Sequence, residues 1–189
     1  VDVLLGLGVD VDIRDDRGMT PLMFAFGVEE LAPNYQQVVE RLIKGGADIN
    51  VKTKGELTAL RLASQRGLLE ALNFLLAQGA KSEADDLVEA SLQGNLEIVD
   101  ALLTHDPELV SKLPSERFEG LTALSAIFIA KTLSSNYQEI AKRLIKGGAD
   151  VNRTDTRGTG GSTVTSALWQ AYGRRPYQLD VVKFLLEQG

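Results

Sequence analysis

The sequence contains no cysteine, which removes disulfides, thiolate nucleophiles and cysteine-held metals from the chemistry open to it and fits a reducing, intracellular setting. His105 is its single histidine. One imidazole supplies neither a histidine metal site nor a familiar triad, so at the end of a helix pattern it reads as a surface or capping residue. No apolar run approaches the ~20 residues of a membrane helix, and the N-terminus carries no signal-peptide pattern. Positive charge is also scarce: 20 Lys and Arg against 26 Asp and Glu give a formal charge of −6. The broad basic surface used for nucleic acids or anionic membranes is therefore missing. What remains is a chain of 189 residues, 44% of them apolar, enough to bury a sizeable core.

Its organising feature is a repeated stretch. Asn34 to Asn50 reads N-Y-Q-Q-V-V-E-R-L-I-K-G-G-A-D-I-N, and 102 residues later Asn136 to Asn152 reads N-Y-Q-E-I-A-K-R-L-I-K-G-G-A-D-V-N; twelve of seventeen positions are identical. Val38, Val39, Leu42 and Ile43 fall on one side at helical spacing, with Glu40, Arg41 and Lys44 polar between them. Gly45-Gly46 predicts the helix end, because glycine enters the left-handed region without a side-chain clash. Lys44 then sits in the last turn, where the helix dipole favours a cation. One helix and one turn cannot bury an apolar stripe alone, so the modules must lean on neighbours.

Around this stretch the chain alternates loops and helix patterns. Val1 to Gly8 reads as a helix tail, and Val9 to Asp12 takes the place of Ala47 to Asn50. Asp15-Asp16-Arg17-Gly18-Met19-Thr20-Pro21-Leu22 follows: the glycine suits a tight hairpin, Thr20 an N-cap and Pro21 the first helical position. This D-x-x-G-x-T-P-L, a short helix, a second helix and G-A-D-I-N together resemble the ankyrin repeat, whose period is about 33 residues. Thr58-Ala59-Leu60 to Gly79-Ala80 fits the pattern without gaps. Further units open near Asp86, at Leu121-Thr122-Ala123-Leu124 and at Ser166-Ala167-Leu168-Trp169. The chain departs from the family at Val28 to Ala32 and Ala130 to Ser134, each five extra residues between helices. Other departures are a hairpin almost lost before Asp85-Asp86, a bulky Ile127-Phe128 pair, and an enlarged loop at Thr159 to Val164.

The resemblance implies an all-α solenoid of antiparallel helix pairs joined by β-hairpin-like loops. It implies one domain over residues 1–189, with a partial repeat at 1–14 and repeats near 15–52, 53–84, 85–116, 117–154 and 155–189. Val1 falls inside a helix pattern and Gly189 on a helix cap, as expected of a piece of a longer array.

No catalytic constellation is present in the sequence. Asp10, Asp12, Asp15 and Asp16 lack the mid-loop glycine and later glutamate of a calcium loop. Gly158, Gly160 and Gly161 are not followed by Gly-Lys-Ser/Thr, so they do not form a phosphate loop. Neither cofactor nor metal is expected, and the remaining carboxylates are scattered.

The family grips other proteins through hairpin tips and the exposed side of its first helices. Carried over residue by residue, the resemblance assigns the tips to Asp16, Arg17 and Met19; Lys54 and Glu56; Phe118, Glu119 and Leu121; and Thr156 and Arg157. The helix positions are Gln65 and Arg66, then Leu92 and Gln93. Phe118 and Leu121 are apolar tips, which are costly unless covered; packing beneath Pro107 to Pro114 is the alternative. Trp169, Tyr172, Arg174, Arg175 and Tyr177 crowd residue types that dominate interface hot spots; packing of the long connection is the alternative for Trp169 and Tyr177. Tyr35 and Tyr137 are expected to close the elongated loops by packing. The expected function is protein–protein recognition by an intracellular scaffold or adaptor that is not an enzyme. The alternative is a regulatory segment of a larger enzyme, channel or secreted effector.

Overall fold

The computed structural model describes residues 6–27, 33–118, 121–129, 134–151, 153, 183 and 186–187. Eight α-helices over six residues long are placed among them. They are α1 (Pro21–Gly27), α2 (Tyr35–Lys44), α3 (Ala59–Gln65), α4 (Leu69–Ala77), α5 (Ala84–Gln93), α6 (Leu96–His105), α7 (Ala123–Ile129) and α8 (Tyr137–Lys146). Two short 3-10 turns, Pro107–Val110 and Glu116–Phe118, lie between α6 and α7.

Local chemistry accounts for these boundaries. Thr20 Oγ1 accepts the Met23 N–H at 3.4 Å, Thr58 Oγ1 the Arg61 N–H at 3.1 Å and Thr122 Oγ1 the Ser125 N–H at 3.0 Å. Three first helices thus begin on a threonine that satisfies an orphan donor. Three of the second helices, α2, α4 and α8, end alike. Gly46, Gly79 and Gly148 take φ of +93°, +93° and +102°, and the next alanine N–H (Ala47, Ala80, Ala149) reaches back to Leu42, Leu75 and Leu144 carbonyls at 2.9–3.0 Å.

The loops that the sequence casts as β-hairpin-like are turns rather than strands. Across the base of the first two runs a backbone bond, Asp15 N–H to Met19 O at 3.1 Å and Thr53 N–H to Leu57 O at 3.0 Å, and no strand occurs among the described residues.

The chain forms two compact units, Val1–Lys81 and Ser82–Gly189. In the first, α1 packs on α2 and α3, and α3 packs on α4. Leu22, Met23, Phe26, Val39, Leu42, Leu60, Ala63, Leu72 and Leu75 are buried there. In the second, α5 packs on α6 and α7, α6 on the first 3-10 turn and α8, and α7 on α8. Its core includes Leu87, Ile98, Val99, Leu102, Leu109, Leu124, Ile140 and Leu144. The bulky Ile127 and Phe128 are buried too, and α7 still packs on α5.

A polar link ties successive modules of the first unit. The Asp12 carboxylate accepts the Asp48 N–H at 3.0 and 3.1 Å. Asn50, its counterpart one module on, accepts the Lys81 N–H at 2.8 Å and donates to the Gly79 carbonyl at 3.2 Å. These side chains satisfy backbone groups that the turns leave without helical partners.

Candidate partner-binding surface

The first two hairpins of the first unit lie side by side. A Cβ placed on Gly18 would stand 3.6 Å from Thr53 Cα and 3.9 Å from the Lys54 nitrogen. This proximity brings Asp16 and Arg17 to the same edge as Lys54 and Glu56, and all four are exposed. Asp15 shapes the first tip: its Oδ1 accepts the Arg17 and Met19 N–H groups at 2.9 and 2.8 Å, and its other oxygen lies 3.5 Å from the Arg17 guanidinium. The acidic run therefore serves hairpin geometry, with Asp10 likewise accepting the Asp12 N–H at 2.9 Å. At the second tip Glu56 adopts φ +60°, which is uncommon for a residue with a side chain. Its carboxylate meets Lys52 Nζ at 2.6 Å.

The other expected positions differ in accessibility. Met19 is half-buried, its Cε 3.0 Å from where a Gly27 Cβ would stand, so it packs back on the end of α1. At the C-terminus of α3, Gln65 is half-buried and Arg66 exposed. Leu92 is half-buried and Gln93 exposed. Phe118 is buried, with the Arg117 guanidinium 5.3 Å from its ring centre; it is a packed residue, not an open apolar tip. Leu121, half-buried, donates its N–H to the Phe118 carbonyl at 2.8 Å. Glu119, Thr156, Arg157, Trp169, Tyr172, Arg174, Arg175 and Tyr177 lie outside the described residues.

Sequence reasoning missed Phe24, a phenylalanine on α1 that is 38% exposed. It also missed a groove of about 200 Å³ in the first unit, lined by Phe26, Tyr35, Gln36, Val39, Glu40, Glu70, Ala71 and Phe74. There the Tyr35 ring meets Phe26 edge-on, 6.2 Å between centres at 73°; the elongated loop it is expected to close, Val28 to Ala32, lies outside the described residues.

Helix pairs with threonine-capped starts, glycine ends and hairpin-shaped connections define a class, and the comparisons agree with it. A sequence model of ankyrin repeats (3 copies) matches residues 1–86, and a model of the single ankyrin repeat matches residues 119–156. The chain belongs to the ankyrin-repeat family, and its fold is all-α.

The mouse (Mus musculus) ankyrin repeat domain-containing protein 63 is 32% identical over 120 residues, which is 60% of this chain and 30% of that protein. This chain thus aligns with less than a third of that relative. Among solved structures, the ankyrin repeat protein EF0377 superposes with a TM-score of 0.78 at 24% identity, covering 98% of this chain and 89% of that one. An ankyrin repeat domain (ABAYE2397) from Acinetobacter baumannii AYE superposes with a TM-score of 0.75 at 26% identity, covering 100% and 92%.

Ankyrin repeats are generally protein–protein interaction modules and typically non-catalytic. Among the described residues no helix is long and apolar enough to cross a membrane.

Proposed function

We propose that this chain is the recognition segment of an intracellular scaffold or adaptor, gripping a protein partner and performing no chemistry of its own. The observation that carries this reading is the paired edge Asp16, Arg17, Lys54 and Glu56, four exposed charged side chains on adjoining turns. Such an edge on a packed helical base keeps contact groups in fixed positions, which lowers the entropy lost on binding. Arg66, exposed at the end of α3, extends it onto the first helices. Phe118 leaves the contact set because it is buried, while Glu119, Thr156, Arg157, Trp169, Tyr172, Arg174 and Arg175 join it on sequence alone. The repeat boundaries and the single array set out above belong to the same proposal.

A second reading, a regulatory segment of a larger enzyme, channel or secreted effector, draws on the match of 80% of this chain to 18% of the Arabidopsis thaliana potassium channel AKT2/3, at 28% identity. Affinity capture with the chain as bait, followed by mass spectrometry, tests the first reading. A partner should be held by the wild type and lost at least tenfold by the triple variant Arg17→Ala, Lys54→Ala and Arg66→Ala, whose melting point stays unchanged. Equal capture by both proteins overturns the edge as the binding surface.

A further inference from the structure

We infer that the groove between α2 and α4 is a receptor for one cationic side chain, an arginine guanidinium presented by a partner chain. It lies on the second helices, apart from the hairpin edge, and the inference stands independently of that edge.

The floor is apolar: Phe26, Val39 and Ala71 are each no more than 5% exposed. Tyr35 and Phe74, both half-buried, complete an aromatic lining, and Gln36, Glu40 and Glu70 are the exposed polar residues around it. At about 200 Å³ the space is smaller than the roughly 300–1,000 Å³ of drug-sized ligand sites. It exceeds the roughly 150 Å³ that suffices for a benzene ring. One long side chain fits that size.

The lining selects the kind of side chain. Aromatic rings attract a cation over their faces, and a guanidinium both stacks on them and forks toward carboxylates. Two carboxylates at the groove provide the acceptors. Glu70 meets no cation among the described residues; its Oε2 is held by the neutral Gln36 amide at 3.0 Å. Glu40 has only a loose contact, 3.9 Å, with Lys44, whose side chain is 79% exposed, so an arriving guanidinium competes with water more than with Lys44. The overall charge of −6 favours approach by a basic segment.

The internal duplicate supplies a contrast. At the positions of Val39 and Glu40 the second copy carries Ala141 and Lys142, losing apolar floor and replacing the acid with a base. Cation affinity therefore belongs to the first copy, although the two helices are otherwise closely alike.

The test is a titration of the full chain, labelled with nitrogen-15, with the peptide acetyl-Gly-Arg-Gly-amide. Its citrulline twin, equal in shape and uncharged, is the control. The arginine peptide should shift the Gln36 side-chain amide and the backbone signals of Tyr35, Glu40, Glu70 and Phe74 along a saturating curve in the millimolar range. The variant carrying Glu40→Gln and Glu70→Gln, both at exposed positions, should weaken binding about tenfold with an unchanged melting point. Equal response to the citrulline peptide, shifts centred on the hairpin edge, or insensitivity to the double variant overturns the inference. A variant that melts early is replaced by Glu70→Gln alone, for which a loss of about threefold is expected and none overturns it.

Discussion

Asp85 holds Ser115 with both carboxylate oxygens: Oδ1 accepts the backbone N–H and Oδ2 the hydroxyl, each at 2.6 Å. Asp85 lies in the first turn of α5 and is only 2% exposed. Ser115 directly precedes the second 3-10 turn, thirty residues on. A carboxylate so far out of water requires such donors, and charge-assisted bonds are the strong ones. Asp85→Ala leaves a backbone donor without this acceptor and should cost about 1–3 kcal/mol. Ser115→Ala removes the hydroxyl bond alone, at about 0.5–1.5 kcal/mol. Urea unfolding of the two variants checks this order, and a larger loss for Ser115→Ala would refute it.

Leu42 is 5% exposed within the first unit, whereas Leu7 is 74% exposed. Truncating both to alanine removes the same atoms from opposite environments. Leu42→Ala should lower stability by about 2–5 kcal/mol, through lost burial and the cavity left behind. Leu7→Ala should change it by less than about 0.5 kcal/mol. Equal thermal midpoints for the two variants would show that Leu42 is not a core residue.

Two glycines separate backbone strain from steric contact. Gly46 and Gly94 both have left-handed φ, +93° and +68°. A Cβ on Gly46 would meet nothing within 4 Å, but one on Gly94 would collide with the Ser134 side chain. Gly46→Ala should therefore cost about 1–2 kcal/mol for conformation alone, and Gly94→Ala clearly more. Thermal melting of the pair decides the point; equal losses would mean that Ser134 moves aside at no cost.

That collision also shows where the sequence was legible and where it was not. Thr20, Thr58, the paired glycines and the alternation of Val38 to Ile43 act within one turn of chain, so the bounds of α1 to α4 follow from neighbouring residues. Even the shortened connection before α5 can be counted from Gly79 to Asp86. Contacts between distant segments are different. For Phe118 the sequence leaves an open tip and a packed one as alternatives, because burial depends on how the chain folds back, and the folded chain buries it. A packing role for Tyr35 could be read from the repeated Asn-Tyr, but not its partner, Phe26 of α1. The groove beside it was not foreseeable, because it needs Glu70 and Phe74 from a helix two elements later. Ser134, last of the five residues inserted between α7 and α8, lies over the α5–α6 turn for the same non-local reason.

The pH dependence of the loop after α6 follows from one pair. Lys112 Nζ donates to Asp106 Oδ2 at 2.7 Å, while the Glu108 N–H donates to Oδ1 at 3.1 Å. The lysine bond, opposed by desolvation and aided by the weaker Glu108 bond and nearby positive charge, holds the Asp106 carboxyl below its ordinary range; the same bond raises the Lys112 ammonium. A depressed carboxyl contributes stability above its unfolded value, about pH 4, and loses it as the pH falls through the lower folded value. A raised lysine contributes below about pH 10.4 and loses its share as the pH rises through the higher folded value. Between those limits the pair is intact, and its exposure keeps the contribution small and sensitive to salt. Following the Asp106 carboxyl carbon by NMR should give a midpoint below that of an ordinary aspartate. Lys112→Met should raise that midpoint part of the way, because the Glu108 bond remains. A midpoint that the substitution leaves in place would mean the ammonium is not what holds Asp106 ionised.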